Sequence, residues 1–313
     1  IMVKLNRRFK YSIIIPAFIV TLILVYKLKW DSSLQAVLSE QVYKLKWDSS
    51  LQAVLSEQEE IWKWYNYTED NLNGPKVSMD DPRVIQKVKN FLIKPLDNKL
   101  KYSTDHPYKL SNPEVEDPSM GQAAKIRKIL QNRKNGFFIE AGALDGETRS
   151  NTLYFERYLN WTGLLIEPDP LNFIEVIKRN RRAWLSPTCL SLHPYPDVVL
   201  FEQNRNMGKI AVKGSKVTGT TVNVQCFPFY SYILALNITH VDYFSLDIEG
   251  LELDVLKTIP FKEINIETLS VEFVHVPGGK NAVSEYMFSQ GYIIDSEVTH
   301  PDWLANDFIF VKM

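Results

Sequence analysis

The chain has 313 residues, enough for one large α/β domain with additional segments. Its 36 basic and 37 acidic residues nearly cancel, so no extended electrostatic field favours nucleic acid as a partner. The only two cysteines, Cys189 and Cys226, exclude a disulfide-rich scaffold and a zinc site built from spaced thiolates.

An uncharged, apolar segment, Tyr11–Tyr26, lies between two lysines near the N-terminus. As a helix it would span about 24 Å, close to the hydrocarbon thickness of a thin membrane. Four basic residues precede the segment and two follow it at once, which favours a cytosolic N-terminus and a lumenal body. We therefore expect a cytosolic tail at 1–10 and a transmembrane signal anchor at 11–28, held by membrane lipid in the type II orientation. A cleaved signal peptide and a buried soluble helix are the alternatives.

The segment 29–119 is predicted to be a stem and lead-in. The sequence VYKLKWDSSLQAVLSEQ occurs twice without change, at Val25–Gln41 and at Val42–Gln58. On a helix, this period would turn the second apolar stripe by about 100° from the first, so we attach no function to the repeat. Further on, Asp81 is placed to cap a helix whose apolar stripe, 84–92, is predicted to pack on the main domain.

From residue 120 to the C-terminus, apolar strands alternate with amphipathic helices, which is typical of a parallel α/β sheet. The predicted strands are 137–143, 163–167, part of 183–192, 198–201, 221–226, 241–247, 268–275, 292–298 and 308–312. The predicted helices are 122–132, 150–159, 171–181, 229–236, 251–258 and 282–290. Because no helix separates the last two strands, the pattern predicts a Rossmann-like, doubly wound, mostly parallel sheet closed by an antiparallel C-terminal hairpin.

The first predicted strand runs into an acidic, glycine-containing turn, in the sequence FFIEAGALDGETRSNT. Gly142 and Gly146 allow the backbone to approach a ligand closely before the next helix. Glu140 and Asp145 bring negative charge to the same turn. Such charge repels phosphates but suits the amino and sulfonium groups of S-adenosylmethionine.

The second predicted strand, GLLIEPDP, ends at Glu167, 27 residues after Glu140. An acidic residue at this strand end accepts hydrogen bonds from ribose hydroxyls. Domains that bind NAD share this feature, but together with the acidic first turn it favours an adenosyl ligand without phosphates. An ordinary α/β domain with acidic loop ends is the alternative.

A pair of carboxylates follows a later strand, in VDYFSLDIEGLELDVLKTI. Asp247 and Glu249 fall where ligands bind in open α/β sheets, and Gly250 permits a tight turn into the next helix. If the strand continues through Glu249, alternation puts both carboxylates on one side. Two close carboxylates suggest one raised pKa and a general base for a substrate hydroxyl. The alternative is a helix cap beside a solvent-facing side chain.

These segments together resemble FkbM-type methyltransferases in their Star-type, membrane-anchored form. The resemblance covers about residues 125–313 and rests on EAGALDGETRSNT, LLIEPDP, CLS at 189–191, CFPFYSYILAL, DYFSLDIEGLELDVL and SVEFVH. It implies a class I methyltransferase fold with S-adenosylmethionine as the cofactor. The cofactor-binding residues that it implies are Glu140, Gly142, Asp145, Gly146, Asn151, Glu167 and Gly250, and the catalytic pair is Asp247 and Glu249.

The resemblance implies two different functions. FkbM-type activity would be O-methylation of a hydroxyl on a sugar or small molecule, so the partner would be a glycan or small-molecule acceptor. Star-type proteins are instead associated with moving membrane cargo through the endoplasmic reticulum, Golgi and endosomes, so the partner would be a membrane cargo protein. The resemblance thus implies a single-pass protein of the endoplasmic reticulum and Golgi, with the endosome or plasma membrane as further compartments.

Histidines and cysteines add weaker signals. The five histidines show no H-x-x-x-H spacing and no cysteine pairing, so no metal site is expected. His275 follows a predicted strand and could reach a substrate, or it could be an ordinary surface histidine. Cys189 and Cys226 end neighbouring predicted strands, and both a disulfide and two buried free thiols stay open, since a bridge requires Cα atoms within about 7 Å.

Overall fold

A computed structural model describes residues 64–65, 70–95, 108–211, 219–301 and 305–313. The predicted cytosolic tail, the signal anchor and the duplicated segment lie outside the described residues. Among the helices that are described, none combines the length and the apolar character needed to cross a membrane.

The described residues form seven α-helices and eleven strands. The helices are α1 (Pro82–Phe91), α2 (Gln122–Ile129), α3 (Leu153–Leu159), α4 (Pro170–Lys178), α5 (Phe229–Leu236), α6 (Glu252–Thr258) and α7 (Gly279–Ser289). The strands are β1 (Phe137–Ala141), β2 (Thr162–Ile166), β3 (Trp184–Ser186), β4 (Cys189–Leu190), β5 (Asp197–Glu202), β6 (Lys209–Ile210), β7 (Thr221–Phe227), β8 (His240–Leu246), β9 (Asn265–Glu272), β10 (Tyr292–Thr299) and β11 (Asn306–Lys312).

Seven of these strands form the main sheet, in the order β10-β11-β9-β8-β1-β2-β3. The neighbouring strands β9, β8, β1, β2 and β3 all pair in parallel. Strand β11 pairs antiparallel with both β9 and β10. The prediction of a mostly parallel sheet closed by an antiparallel C-terminal hairpin is therefore confirmed.

Helices cover both faces of this sheet. Successive residues of β1 show why: Phe138 packs into the apolar cluster that contains α2, α3 and α4, while Ile139 packs into the cluster that contains α1, α5, α6 and α7. Both side chains are completely buried. Because side chains alternate along a strand, a strand buried on both faces reads as a continuous apolar run, as the FFI sequence of β1 does.

The remaining strands form a second sheet, in the order β4-β7-β5-β6. The prediction of a single sheet was wrong in this respect, although each predicted strand exists. The segment predicted at 183–192 is divided between β3 in the main sheet and β4 in the second one. The physical reason is that β5 pairs antiparallel with β7, and strand patterning does not indicate which sheet a strand joins.

A disulfide joins Cys189 of β4 to Cys226 of β7, whose Cα atoms are 4.3 Å apart. The two residues are register partners in a parallel pair, which brings their side chains to the same place. The sequence left open a disulfide or two free thiols, and the structure has the disulfide.

The predicted helix in the lead-in is α1, and it packs against α5 as expected. Asp81 caps it by accepting a hydrogen bond from the Arg83 backbone N–H at 2.8 Å, and Pro82 occupies the first turn. Val84 and Val88 are fully buried on its inner face. Part of the segment predicted as a stem therefore contributes to the core of the domain.

Candidate functional site

An open pocket lies at the carboxyl ends of β1, β2 and β8, with an empty volume of about 1060 Å³ that includes solvent at its mouth. This is the edge at which ligands bind in open α/β sheets. Six predicted site residues line it: Glu140, Gly142, Asn151, Glu167, Asp247 and Glu249. The other three predicted site residues do not line the pocket but lie in the turns that form it: Asp145, Gly146 and Gly250.

Gly142 lies at a close approach between the end of β1 and the loop that follows β8. Its φ is +86°, and an added Cβ would lie 1.9 Å from the carbonyl oxygen of Asp247. The backbone on either side is tied to neighbouring strands, because Gly142 N–H donates to Ile166 and Asp247 N–H donates to Ala141. Only glycine fits here without moving β1 away from the loop that carries Asp247.

Glu140 lines the pocket, yet its carboxylate is engaged by the turn that leads into α3. It accepts hydrogen bonds from the Ser150 hydroxyl at 2.9 Å, the Asn151 backbone N–H at 2.7 Å and the Thr152 hydroxyl. Burial raises the pKa of Glu140, against the opposing effects of Arg181 and of these donors. Glu140 therefore stabilises the turn that leads into α3. Its effect on a bound ligand would come mainly through the shape of that turn.

Asn151 presents a buried acceptor to the pocket. Its amide nitrogen donates to the Ser245 hydroxyl at 2.9 Å, which orients the side chain. Its Oδ1 is buried and has no hydrogen-bond partner within the described part of the chain. A buried acceptor without a partner is costly, so this oxygen is suited to receive an N–H or O–H group from a ligand.

Glu167 ends β2 as predicted and is almost completely buried. It accepts hydrogen bonds from the backbone N–H groups of Leu144 at 2.7 Å and Asp169 at 2.9 Å. Burial raises the pKa of Glu167 to about 8. Each carboxylate oxygen has two lone pairs, so these contacts leave acceptor capacity for a ligand hydroxyl.

Asp145 and Gly146 support the turn without reaching the pocket. Asp145 accepts hydrogen bonds from the backbone of Glu147 and Thr148 and pairs with Arg179 at 3.2 Å. Although burial opposes ionisation, these backbone donors lower the pKa of Asp145. The Gly146 carbonyl accepts from buried Arg181. The two residues stabilise the shape of the glycine turn, and neither is among the residues that line the pocket.

The loop after β8 determines how the two carboxylates lie. The strand ends at Leu246, one residue before the predicted end, so the condition that it continue through Glu249 is not met. Glu249 and Gly250 both have positive φ, +63° and +106°. The cause is Glu252, a fully buried carboxylate that accepts from the backbone N–H groups of Ile248 at 2.7 Å and Gly250 at 3.0 Å and curls the loop around itself. This loop still directs Asp247 and Glu249 into the pocket.

The two predicted catalytic carboxylates have different surroundings. Asp247 is exposed to the pocket and makes no side-chain hydrogen bond or ion pair with the described residues. Although solvent reaches it through the pocket, the surrounding protein desolvates it and raises its pKa, against the charges of Arg149 and His275. Glu249 is half-buried, and its Oε2 lies 3.2 Å from Nδ1 of His275. Burial, followed by the charge of Asp247, raises the pKa of Glu249 to about 7.

Three further residues belong to this site and were missed from the sequence. Arg149, in a turn with φ of +57°, lines the pocket near the two carboxylates. Glu252 lies in α6, as the predicted helix 251–258 requires, and its carboxylate also lies within 4.8 Å of those of Asp247 and Glu272. Glu272 ends β9, and the rule that a strand-end acidic residue faces the ligand edge could have identified it. It was overlooked because that strand was predicted to run on to His275.

Residues 140–294 match the methyltransferase FkbM domain. No curated protein matches the chain. Among solved structures, the methyltransferase FkbM of Methylobacillus flagellatus KT is 16% identical, with 57% of this chain and 44% of that protein covered and a TM-score of 0.39. A methyltransferase from Pyrococcus furiosus is 14% identical, with 62% and 82% covered and a TM-score of 0.35. The chain thus spans less than half of the length of the first of these proteins.

Proposed function

We propose that this chain, whose residues 140–294 form an FkbM methyltransferase domain, is an S-adenosylmethionine-dependent O-methyltransferase acting on a hydroxyl of a sugar or small molecule. The observation that carries the proposal is the meeting around one pocket of Gly142, the buried acceptor of Asn151 and the carboxylate of Asp247, which no side chain of the described ranges pairs with. The pocket is acidic and lacks a glycine-rich cradle for phosphates.

The pocket residues fit the cofactor group by group. Asn151 Oδ1 is a buried acceptor that no described residue contacts by a hydrogen bond, which suits the amino group of the methionine portion. Glu167 at the end of β2 suits the ribose hydroxyls, and Gly142 leaves room for the cofactor against the backbone. When bound, S-adenosylmethionine supplies a methyl group on a positively charged sulfur, and an acceptor oxygen takes that methyl group as the carbon–sulfur bond breaks.

Asp247 is the group best placed to receive the proton of the acceptor hydroxyl. It faces the pocket and has no competing partner among the described residues. Glu249, by contrast, is held beside His275. In this proposal Asp247 orients the hydroxyl by accepting its hydrogen bond and takes the proton as the oxygen attacks, while Glu249 adds to the negative field of the loop.

The test compares the full-length wild-type chain with Asp247→Asn. The variant should keep its affinity for S-adenosylmethionine, measured by calorimetry, but lose about a hundredfold or more in transfer of a radiolabelled methyl group to a panel of sugars. Asp254→Asn, an exposed aspartate on α6, is the matched control and should change neither quantity. A wild-type chain with no affinity for S-adenosylmethionine at about millimolar concentration would refute the cofactor assignment.

The disulfide between Cys189 and Cys226 favours a second candidate. Such bonds persist in oxidising compartments, so the bond supports our proposal that residues 11–28 anchor a lumenal domain in endoplasmic reticulum and Golgi membranes. S-adenosylmethionine is made in the cytosol, and a lumenal domain would depend on its transport. A Star-type role in the export of membrane cargo is therefore the alternative function. Normal cargo export in cells that carry only Asp247→Asn would favour trafficking, whereas loss of both export and methyl transfer would favour catalysis.

A further inference from the structure

A second set of ligand-type groups converges beside the pocket, at the carboxyl ends of β8 and β9. One ligand atom each from Glu249, Glu272 and His275 lies within 4.8 Å of the others. Nδ1 of His275 is 2.9 Å from Oε1 of Glu272 and 3.2 Å from Oε2 of Glu249. Glu249, which precedes α6, is thus brought next to Glu272 and His275, which lie three residues apart after that helix.

An independent feature points to a missing partner at this place. The side chain of Glu272 is nine-tenths buried, and its Oε2 has no hydrogen-bond partner among the described residues. Glu272 also belongs to a neighbouring group with Asp247 and Glu252, again within 4.8 Å. Leaving a buried carboxylate oxygen without a donor or cation is strongly unfavourable.

Basic side chains lie near this point but do not contact its carboxylates, since Arg149 and Lys209 act on Glu249 only as nearby charges. No lysine or arginine of the described ranges forms an ion pair with Glu249 or Glu272. The comparable group at the opposite end of β8, His240 with Asp242 and Glu267, is different, because Arg133 pairs with both of its carboxylates. Of these two groups, the one beside the pocket is therefore the one whose carboxylates form no ion pair with a lysine or arginine of the described ranges.

We propose that Glu249, Glu272 and His275 bind one divalent cation at the edge of the pocket, next to Asp247. If a cation lies about 2.1 Å from each of two ligand atoms and the angle at the cation is a right angle, the two ligand atoms are about 3.0 Å apart. The distances from Nδ1 of His275 to the carboxylate oxygens, 2.9 Å to Glu272 and 3.2 Å to Glu249, agree with this value. Two carboxylates and one imidazole, without thiolates, suit Mn²⁺ or Mg²⁺. Glu252 is not a ligand, because the backbone N–H groups of the loop occupy its carboxylate.

The proposed site would add a positive charge at the acceptor end of the pocket, beside that of Arg149. That role rests on the proposed methyl transfer, since a cation beside Asp247 would orient an acceptor hydroxyl and offset negative charge on its oxygen. Binding of the cation itself requires only the three ligands. The two proposals can therefore fail separately.

The experiment is titration of the full-length chain, freed of metals, with Mn²⁺ and detection of bound ion by electron paramagnetic resonance. We expect one Mn²⁺ per chain below about 1 mM, displaced by Mg²⁺, with nitrogen modulation from an imidazole ligand. Glu272→Gln should weaken binding more than about tenfold, and His275→Gln should abolish the nitrogen modulation. Glu267→Gln, in the group that Arg133 neutralises, is the matched control and should bind as the wild type does.

Two results would overturn the site: no binding at about 1 mM Mn²⁺, or binding that neither Glu272→Gln nor His275→Gln alters. Circular dichroism checks the fold of each variant, and Glu249→Gln replaces any variant that does not fold. The same samples are then titrated with S-adenosylmethionine without metal. Mn²⁺ binding without cofactor binding would refute only the methyltransferase proposal, and the reverse would refute only the metal site.

Discussion

Replacing Gly142 by alanine tests whether the glycine turn is a close contact between β1 and the Asp247 loop. A left-handed φ of +86° costs an L-residue about 1–2 kcal/mol. The new Cβ would also start 1.9 Å from the Asp247 carbonyl oxygen, which forces backbone displacement. Overpacking of this kind costs about 1–3 kcal/mol, so Gly142→Ala should lower the free energy of unfolding by about 2–5 kcal/mol.

Gly291 separates the two contributions. Its φ is +85°, almost the same as that of Gly142, but an added Cβ there would meet no atom within 4 Å. Gly291→Ala should therefore lower the free energy of unfolding only by the cost of a left-handed φ, about 1–2 kcal/mol. Alanine also lowers the conformational entropy of the unfolded chain, which makes this loss somewhat smaller. Urea unfolding of both variants, followed by circular dichroism, gives the difference directly.

The same two variants report on the pocket. Because relief of the clash must move Gly142 or Asp247, Gly142→Ala should lose affinity for S-adenosylmethionine in calorimetry, with each 1.4 kcal/mol of lost binding free energy worth about tenfold. Gly291→Ala should keep it. If Gly142→Ala is no less stable than Gly291→Ala and binds the cofactor normally, the close approach does not exist in the folded protein.

Three other regions give separate predictions. Arg181→Met should lower the free energy of unfolding by about 3–5 kcal/mol, because it leaves Glu156, its fully buried ion-pair partner at 2.9 Å, without a counter-charge; urea unfolding measures this. Thiol labelling of the denatured, unreduced chain should detect no free cysteine. Cys226→Ser removes the disulfide, whose cysteines are 37 residues apart, and should lower the free energy of unfolding by about 4 kcal/mol. The raised pKa of Glu167, about 8, means that the folded protein holds this proton more tightly than the unfolded chain does. Stability should therefore fall as the pH rises from about 5 to about 8, and Glu167→Gln should flatten that fall in unfolding experiments at the two pH values.

The sequence by itself determined the order of the strands and helices and the places where ligands could bind. Apolar runs alternating with amphipathic segments predicted the doubly wound sheet, because burial on both faces leaves that pattern in any chain. Gly142 and the acidic residues at strand ends, Glu167 and Asp247, could be recognised because local backbone geometry and sheet topology decide where they lie.

Only the tertiary structure decided what each carboxylate does. Glu140 and Asp145 are engaged by donors from their own turn, while Asp247, of the same chemical type, is left open to the pocket. The sequence also did not show that β4–β7 leave the main sheet, or that Glu272 and His275 meet Glu249. The last two outcomes depend on contacts between residues distant in sequence, and local patterning carries no record of which partners a folded chain brings together.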